Sequence, residues 1–407
     1  MSDQSSPAIR FSSATREEAL GRVDGFAHSM GSVYARSRND DLGPEDRHNV
    51  SCLSPYVRHR LVLEEELVAR ALADHGPQRA EKFIQEVVWR TYWKGWLEQR
   101  PSVWADYTVS RSAVWDNVIQ NKPLLAHYDK AIQGGTGIAC FDFWANELVA
   151  TNYLHNHARM WFASIWIFTL KLPWELGADF FLRHLIDGDA ASNTLSWRWV
   201  GGLHTAGKTY LARADNIEQC TGGRFSPKPG DLADVALPLG EVDHPARTPI
   251  PHLLPVEKGL KTGLLITADD CTPENILDGL DVASVAALPL ADTRSELDTA
   301  RAVTEFEHAA LTDALSRNRG EMLKQPADVL DWAKRNGLQQ IVSPAIPVGW
   351  SRDAMASVIA ELNDEGIVWR EIRRSWDDAI WPHATAGFFK VKKQIPRVLE
   401  DFFDVKS

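Results

Sequence analysis

Along the first half of the chain, apolar side chains return every three or four positions. The runs at residues 61–72, 82–97, 141–153 and 178–185 keep this period, which gathers the apolar groups on one stripe of a helix. Alternating β-branched stretches are scarce there, and Gly76-Pro77, Gly134-Gly135 and Gly201-Gly202 fall between runs. The pattern predicts an all-helical unit over residues 1–229. From 226 to 259 the periodicity is lost in a Pro-rich stretch, which predicts a semi-rigid surface linker, bounded at 230–260 between the flanking units. Strand-like runs then appear at 263–267, 282–288, 339–343 and 366–372, separated by helix-like runs at 299–315, 326–336 and 351–364. That alternation predicts a small parallel, Rossmann-like α/β unit over 261–407. The chain is thus expected to be multidomain, α followed by α/β.

Composition narrows the picture. With 407 residues, 44% hydrophobic and 24% charged, the chain can build two cores. No apolar run approaches the roughly 20 residues of a bilayer span, and the first 20 residues lack the charge-then-apolar order of a secretory signal. A cytoplasmic protein with no membrane partner is expected. Cys52, Cys140, Cys220 and Cys271 lie far apart, which argues for buried thiols and against a metal or iron–sulfur site. The net charge of -11 is unevenly spread: residues 1–229 hold 25 Lys and Arg against 26 Asp and Glu, the remainder 19 against 29. The first unit is therefore free to carry a local basic groove. Neither standard phosphate loop, GxGxxG nor GxxxxGK[ST], occurs.

Several segments carry chemistry together. Ser51 and Ser54, just before Pro55, offer hydroxyls and backbone N–H groups to phosphate oxygens, and Tyr34 offers a phenol. Asn156, Arg159, Asp187, Asp189 and Asn193 supply amide, guanidinium and carboxylate groups of the kind that read the edge of a polar ring. Read alone, the Asp187-Gly188-Asp189 run is a turn or helix cap.

These pieces stand in a recognisable order. Tyr34-Ala-Arg-Ser-Arg, Val50-Ser-Cys-Leu-Ser-Pro, Glu86-Val-Val-Trp-Arg-Thr-Tyr and the stretch 135–199, with its Leu-His-Asn-His-Ala-Arg-Met and Asp-Gly-Asp, resemble the flavin core of photolyases and cryptochromes. The resemblance runs over roughly residues 20–225. It implies a helical FAD-binding domain, in which Tyr34, Ser51, Cys52, Leu53 and Ser54 hold the phosphates. Arg90, Asn156, Arg159, Asp187, Gly188, Asp189 and Asn193 would surround the flavin, with Asp187 pairing with Arg159 and Asn193 facing the reactive nitrogen. Trp197, Trp174 and Trp115 match the proximal, intermediate and exposed members of an electron relay. Glu86, Trp89, Met160 and Trp199 match the pocket for a flipped pyrimidine dimer.

By this resemblance the function is light-driven repair of cyclobutane dimers in UV-damaged DNA by a lyase using reduced FAD. The alternative is a cryptochrome-like blue-light photoreceptor with a protein partner. Asn156 stands where members acting on (6-4) lesions carry a His, which favours cyclobutane repair. Departures at Val50, Asn146, His157, residues 194–196 and residues 200–212 loosen the substrate assignment more than the flavin one. The stretch 331–399, ending in Trp381-Pro-His-Ala-Thr, resembles the second half of the family's antenna domain, which usually precedes the flavin domain; a permuted order is expected. The antenna pigment is left open.

Overall fold

The computed structural model describes residues 11, 13–205, 207–240, 245–277 and 279–405. Its first part is helical. The long helix Glu64–Glu98 is its spine, flanked by Ser102–Gln120, Ala139–Thr151, Asn156–Ser164, Trp174–His184 and Ala190–Val200. Helix starts carry the side-chain caps that the orphan N–H groups need: Thr15 accepts from Glu18 N, Asn121 from Leu124 N and Asp189 from Ser192 N. The expected break at Gly76-Pro77 is present: Gly76 leaves helical geometry, at φ 71° and ψ 168°, so 64–98 is two helices meeting at a kink, and Pro77 opens the second with the dihedral it already prefers. Trp144, Trp161, Trp166 and Trp197 are fully buried in the core of this part.

The second part is a five-stranded, all-parallel sheet. Its strands are β1 (Thr262–Thr267), β2 (Val282–Leu288), β3 (Glu321–Met322), β4 (Gln340–Pro344) and β5 (Val368–Ile372), in the order β3-β2-β1-β4-β5. Central β1 is buried throughout, as a strand covered on both faces must be. Helices Arg301–Asn318, Asp328–Arg335 and Trp350–Asp364 match the expected runs to within three residues. Sequence periodicity missed β3, which has only two residues, and the helices Ser375–Ile380, Phe389–Lys392 and Ile395–Phe403 beyond β5.

Between the two parts, the described residues of 226–259 form neither helix nor strand. The stretch is pinned to both sides: Leu239 N donates to Gly201 O, Thr248 N to Gln99 O and Arg373 Nη1 to Pro251 O. Two interface contacts are so close that only glycine fits. A Cβ on Gly95 would stand 2.7 Å from Trp381, and one on Gly349 2.6 Å from Ala190 Cβ. Buried ion pairs cross the same interface: Arg58 with Asp269 at 3.1 Å, Arg60 with Asp377 at 2.6 Å, and Glu98 with Arg352 at 3.1 Å. All four cysteines are buried. No helix among the described residues is long and apolar enough to cross a membrane.

Candidate functional site

One cavity of about 650 Å³ opens in the helical part, a size suited to a cofactor. Its floor is built where helix Trp174–His184 gives way to helix Ala190–Val200. The connecting Asp187-Gly188-Asp189 run does two jobs there. Asp189 caps the second helix through Oδ1, leaving Oδ2 4.0 Å from both Arg90 Nη1 and Lys94 Nζ. Burial pushes its carboxyl up, but Lys94, Arg90 and Arg58 outweigh this and hold it at about 2. Asp187 accepts from Arg159 Nη2 at 2.9 Å, the pairing the sequence led one to expect. Burial again opposes ionisation, and the Arg159 charge and hydrogen bond pull the carboxyl below its usual range.

Gly188 is set by close packing beneath the loop. A Cβ would meet the Leu185 and Leu182 carbonyls and then Arg294 Nη1, within 3.0 to 3.3 Å. The glycine admits protein packing beneath the loop, and Arg58 Nε donates to its carbonyl from there at 2.8 Å.

The remaining cofactor candidates converge on the same space. Tyr34, Ser51, Cys52, Leu53 and Ser54 line one end, with Arg90, Asn156 and Asn193 beyond them. Cys52 holds a left-handed φ of 50°, an uncommon state for a side chain with Cβ, and this turns the Ser51–Ser54 backbone inward. Burial raises the Tyr34 phenol well above its ordinary range, so it stays a neutral hydroxyl. Asn193 is fixed by Nδ2 donating to Ala178 O at 2.8 Å. Arg90 Nη1 and Asp187 Oδ1 are buried with no hydrogen-bond partner among the described residues. A donor and an acceptor left open on one cavity wall fit a polar, planar heterocycle such as the edge of FAD.

Glu86, Trp89, Met160 and Trp199 lie on the same cavity lining. Two of them have partners that sequence did not reveal. Glu86 Oε1 accepts from Arg38 Nη1 at 2.6 Å, while Arg90, one turn along the same helix, lies 4.0 Å from Asp189. Burial raises the Glu86 carboxyl, and Arg38 offsets only part of that rise. Trp89 is stacked on Phe388 of the α/β part, centroids 3.8 Å apart at 12°, so one indole face is already covered. Trp199 stacks on Tyr210 at 5.5 Å.

The relay residues are partly brought together. Trp197 lines the cavity, buried. Its ring neighbours are Phe181 at 5.1 Å and Trp166 at 6.2 Å. Trp115 lies 5.6 Å from Tyr128, which in turn lies 5.9 Å from Trp166. Trp174 packs on Tyr107 at 5.6 Å and shows no ring contact with Trp197 or Trp115 among the described residues. Trp166 and Tyr128 were not singled out from sequence. Arg38 and Lys94 were not either, although Lys94 follows Arg90 by one helical turn and Arg38 closes the Tyr-Ala-Arg-Ser-Arg motif.

Residues 83–223 match the family model for the FAD binding domain of DNA photolyase. The helical half of the chain is similar to the FAD-binding domain of DNA photolyases. A deoxyribodipyrimidine photo-lyase of Streptomyces griseus is 33% identical over 192 residues, covering 44% of this chain and 40% of that one. One from Thermus thermophilus is 30% identical over 233 residues, 54% of this chain and 50% of the relative. Among solved structures, the class III photolyase of Agrobacterium tumefaciens matches 51% of this chain and 43% of its own, at 23% identity and a TM-score of 0.40. The chain thus spans half or less of the length of these curated relatives. The matched residues 83–223 supply the cavity lining from Phe83 to Val200.

Proposed function

We propose that the protein binds FAD in this cavity and uses light to split cyclobutane pyrimidine dimers in DNA. The observation that carries the reading is one continuous cavity. Its inner wall holds the Asp187–Arg159 pair and the Asp189 cluster, and its mouth holds Glu86, Trp89, Met160 and Trp199. Bound, reduced FAD would supply the excited-state electron. The protein would do the rest. Tyr34 and the Ser51–Ser54 turn would bind phosphates, and Arg159, Asp187, Asp189 and Asn193 would orient the ring. Trp197, Trp174 and Trp115 would return electrons from the surface to the flavin. Glu86, its carboxyl shifted toward the protonated form, would donate to a dimer carbonyl as negative charge develops there. The relatives named as deoxyribodipyrimidine photo-lyases support the reading. In the same reading the α/β part is an antenna-type domain placed after the flavin domain, its parallel sheet being the support.

A photoreceptor without repair is favoured by one feature: Phe388 covers a face of Trp89 that a flipped base would otherwise use. The decisive experiment measures repair of a single thymine dimer in an oligonucleotide under blue light, with dark affinity measured in parallel. Glu86→Ala is expected to lower repair yield more than affinity, and Trp89→Ala mainly affinity. A flavin-loaded wild type that neither binds nor repairs the dimer replaces this reading with the photoreceptor one.

A further inference from the structure

The α/β part carries most of the chain's acidity, yet one of its segments is wholly cationic. Residues 387–397 contain Lys390, Lys392, Lys393 and Arg397 and no Asp or Glu. The segment is anchored against the helical part. Just before it, Tyr92 Oη donates to Ala386 O at 2.9 Å and Arg100 Nη2 to Thr385 O at 2.8 Å; within it, Lys392 lies 3.6 Å from Glu81. Phe388 is buried on Trp89, which lines the cavity mouth. Its neighbour Phe389 is 76% exposed, the most exposed large apolar side chain among the described residues. Lys390 and Lys393 are exposed and form no salt bridge among the described residues, while Lys392 pairs with Glu81 and Arg397 with Asp401.

An exposed aromatic ring with two unpaired lysines, Lys390 and Lys393, close by in the chain is poorly matched to an apolar partner and well matched to a polyanion with stackable faces. Removing a nucleotide pair from a duplex leaves such a face beside the lesion pocket, and apolar side chains are known to fill such gaps while lysines hold the flanking phosphates. We propose that residues 387–397 form a DNA-contacting element. Phe389 wedges against the base stack opened beside the flipped lesion, and Lys390 and Lys393 bind the adjoining backbone. This rests on the repair reading above.

The test uses the full-length, flavin-loaded protein in the dark. One probe is a duplex with a single thymine dimer, and the other is the same lesion in a single strand. Phe389→Ala touches no core packing and is expected to weaken duplex binding by roughly 5- to 100-fold, the range for one lost stacking contact. Single-strand binding should change less than about twofold, since no stack remains to be filled. The double variant Lys390→Gln, Lys393→Gln should lower the slope of log affinity against log salt by roughly 0.9 per lysine. Variants that bind the duplex as wild type does, while wild type binds well, overturn the inference and leave the repair reading standing. Equal losses on both probes also overturn the wedge role. Sedimentation supplies a further check: if Phe389→Ala dissociates a dimer and leaves DNA affinity unchanged, the patch is a contact between copies. A wild type that binds neither probe removes both readings.

Discussion

Gly177 sits in the fourth position of helix Trp174–His184, directly against the ring proposed to lie next to the flavin. A Cβ there would stand 2.3 Å from Trp197 Cη2, 2.5 Å from Cζ3 and 2.9 Å from Trp166 Cε2. Carbon atoms rest comfortably at about 3.5–4.0 Å, so Gly177→Ala would demand that the Trp197 ring retreat by roughly 1.2 Å. Phe181 and Trp166 close two of its sides, while the cavity leaves another side open. The added methyl should favour the helix by about 0.5–1 kcal/mol, and overpacking should remove about 1–3 kcal/mol. The net expectation is a loss of roughly 1–2 kcal/mol, with the indole pushed toward the flavin space and FAD occupancy reduced. Gly21, inside helix Arg16–Phe26, has nothing within 4 Å of its would-be Cβ. Gly21→Ala should therefore gain the helix term alone. The two variants, identical in chemistry, should separate by roughly 2 kcal/mol, or about 4–8 °C in the melting of the helical part. Thermal melting followed by far-UV circular dichroism, with FAD released into an acid extract as a second readout, measures both effects. A Gly177→Ala protein that melts at or above wild type with full FAD content refutes the claim that Trp197 is held in place by packing.

Trp197→Phe should retain FAD but lose blue-light reduction of the flavin in the presence of a thiol; a mutant that photoreduces at the wild-type rate would shift the relay to another donor. Asp187→Asn leaves Arg159 without its charged partner on the cavity wall, and FAD retained through gel filtration should fall by roughly 10-fold, about 1.4 kcal/mol, a lower figure than for a fully buried pair because the Arg159 side chain is 22% exposed. Equal retention would remove the pair from the cofactor's binding set. His184 is held neutral, burial lowering it to about 4. A depressed histidine contributes stability fully present above its unfolded value near 6.5 and lost as pH falls toward the folded one, so His184→Gln should flatten the stability–pH slope between about 6 and 4.5 by up to 1.4 kcal/mol per pH unit. Superimposable slopes in urea titrations would contradict the buried-neutral assignment.

Much of the helical part was legible because local and tertiary signals agree there. Three-and-four periodicity in 82–97 and 141–153 reports a buried stripe, and the functional side chains ride on those same helices, so motif order carried over to spatial order. The Asp187–Arg159 pair is the clearest case, its partners 28 positions apart in the chain and 2.9 Å apart in space. What stayed illegible depends on the fold closing. Glu86 and Arg90 share a helix face, but Arg38 arrives from another helix and takes the carboxylate. Nothing in residues 86–93 announces that Phe388 will lie on Trp89, because that contact spans the two parts of the chain. Gly76-Pro77 was legible for a local reason: Gly-Pro breaks a helix through backbone geometry alone, and the non-helical Gly76 does so here.

The two parts are coupled at the cavity floor, and the coupling is electrostatic. Arg58 donates to Gly188 O inside the Asp-Gly-Asp run and to Ala268 O at the end of β1, while Asp269 balances its charge. Next to it, Arg60 spans Asp270 and Asp377, and Arg374 returns to Asp270 through two bonds at 2.6 and 2.7 Å. Charges this deep are tolerated only while each keeps its partner, since a lone buried ion is far costlier than the pair. Removing the α/β part would thus strip Asp269, Asp270 and Asp377 from Arg58 and Arg60 and open to water the packing behind the loop that carries Asp187 and Asp189. The cofactor floor is therefore shared between the two parts of the chain, and a helical fragment ending near residue 230 should lose FAD and solubility together. Asp269→Asn in the intact chain isolates the first of these effects: it removes one charge and preserves the fold's shape. If that variant keeps full FAD occupancy, the floor is set by the helical part alone.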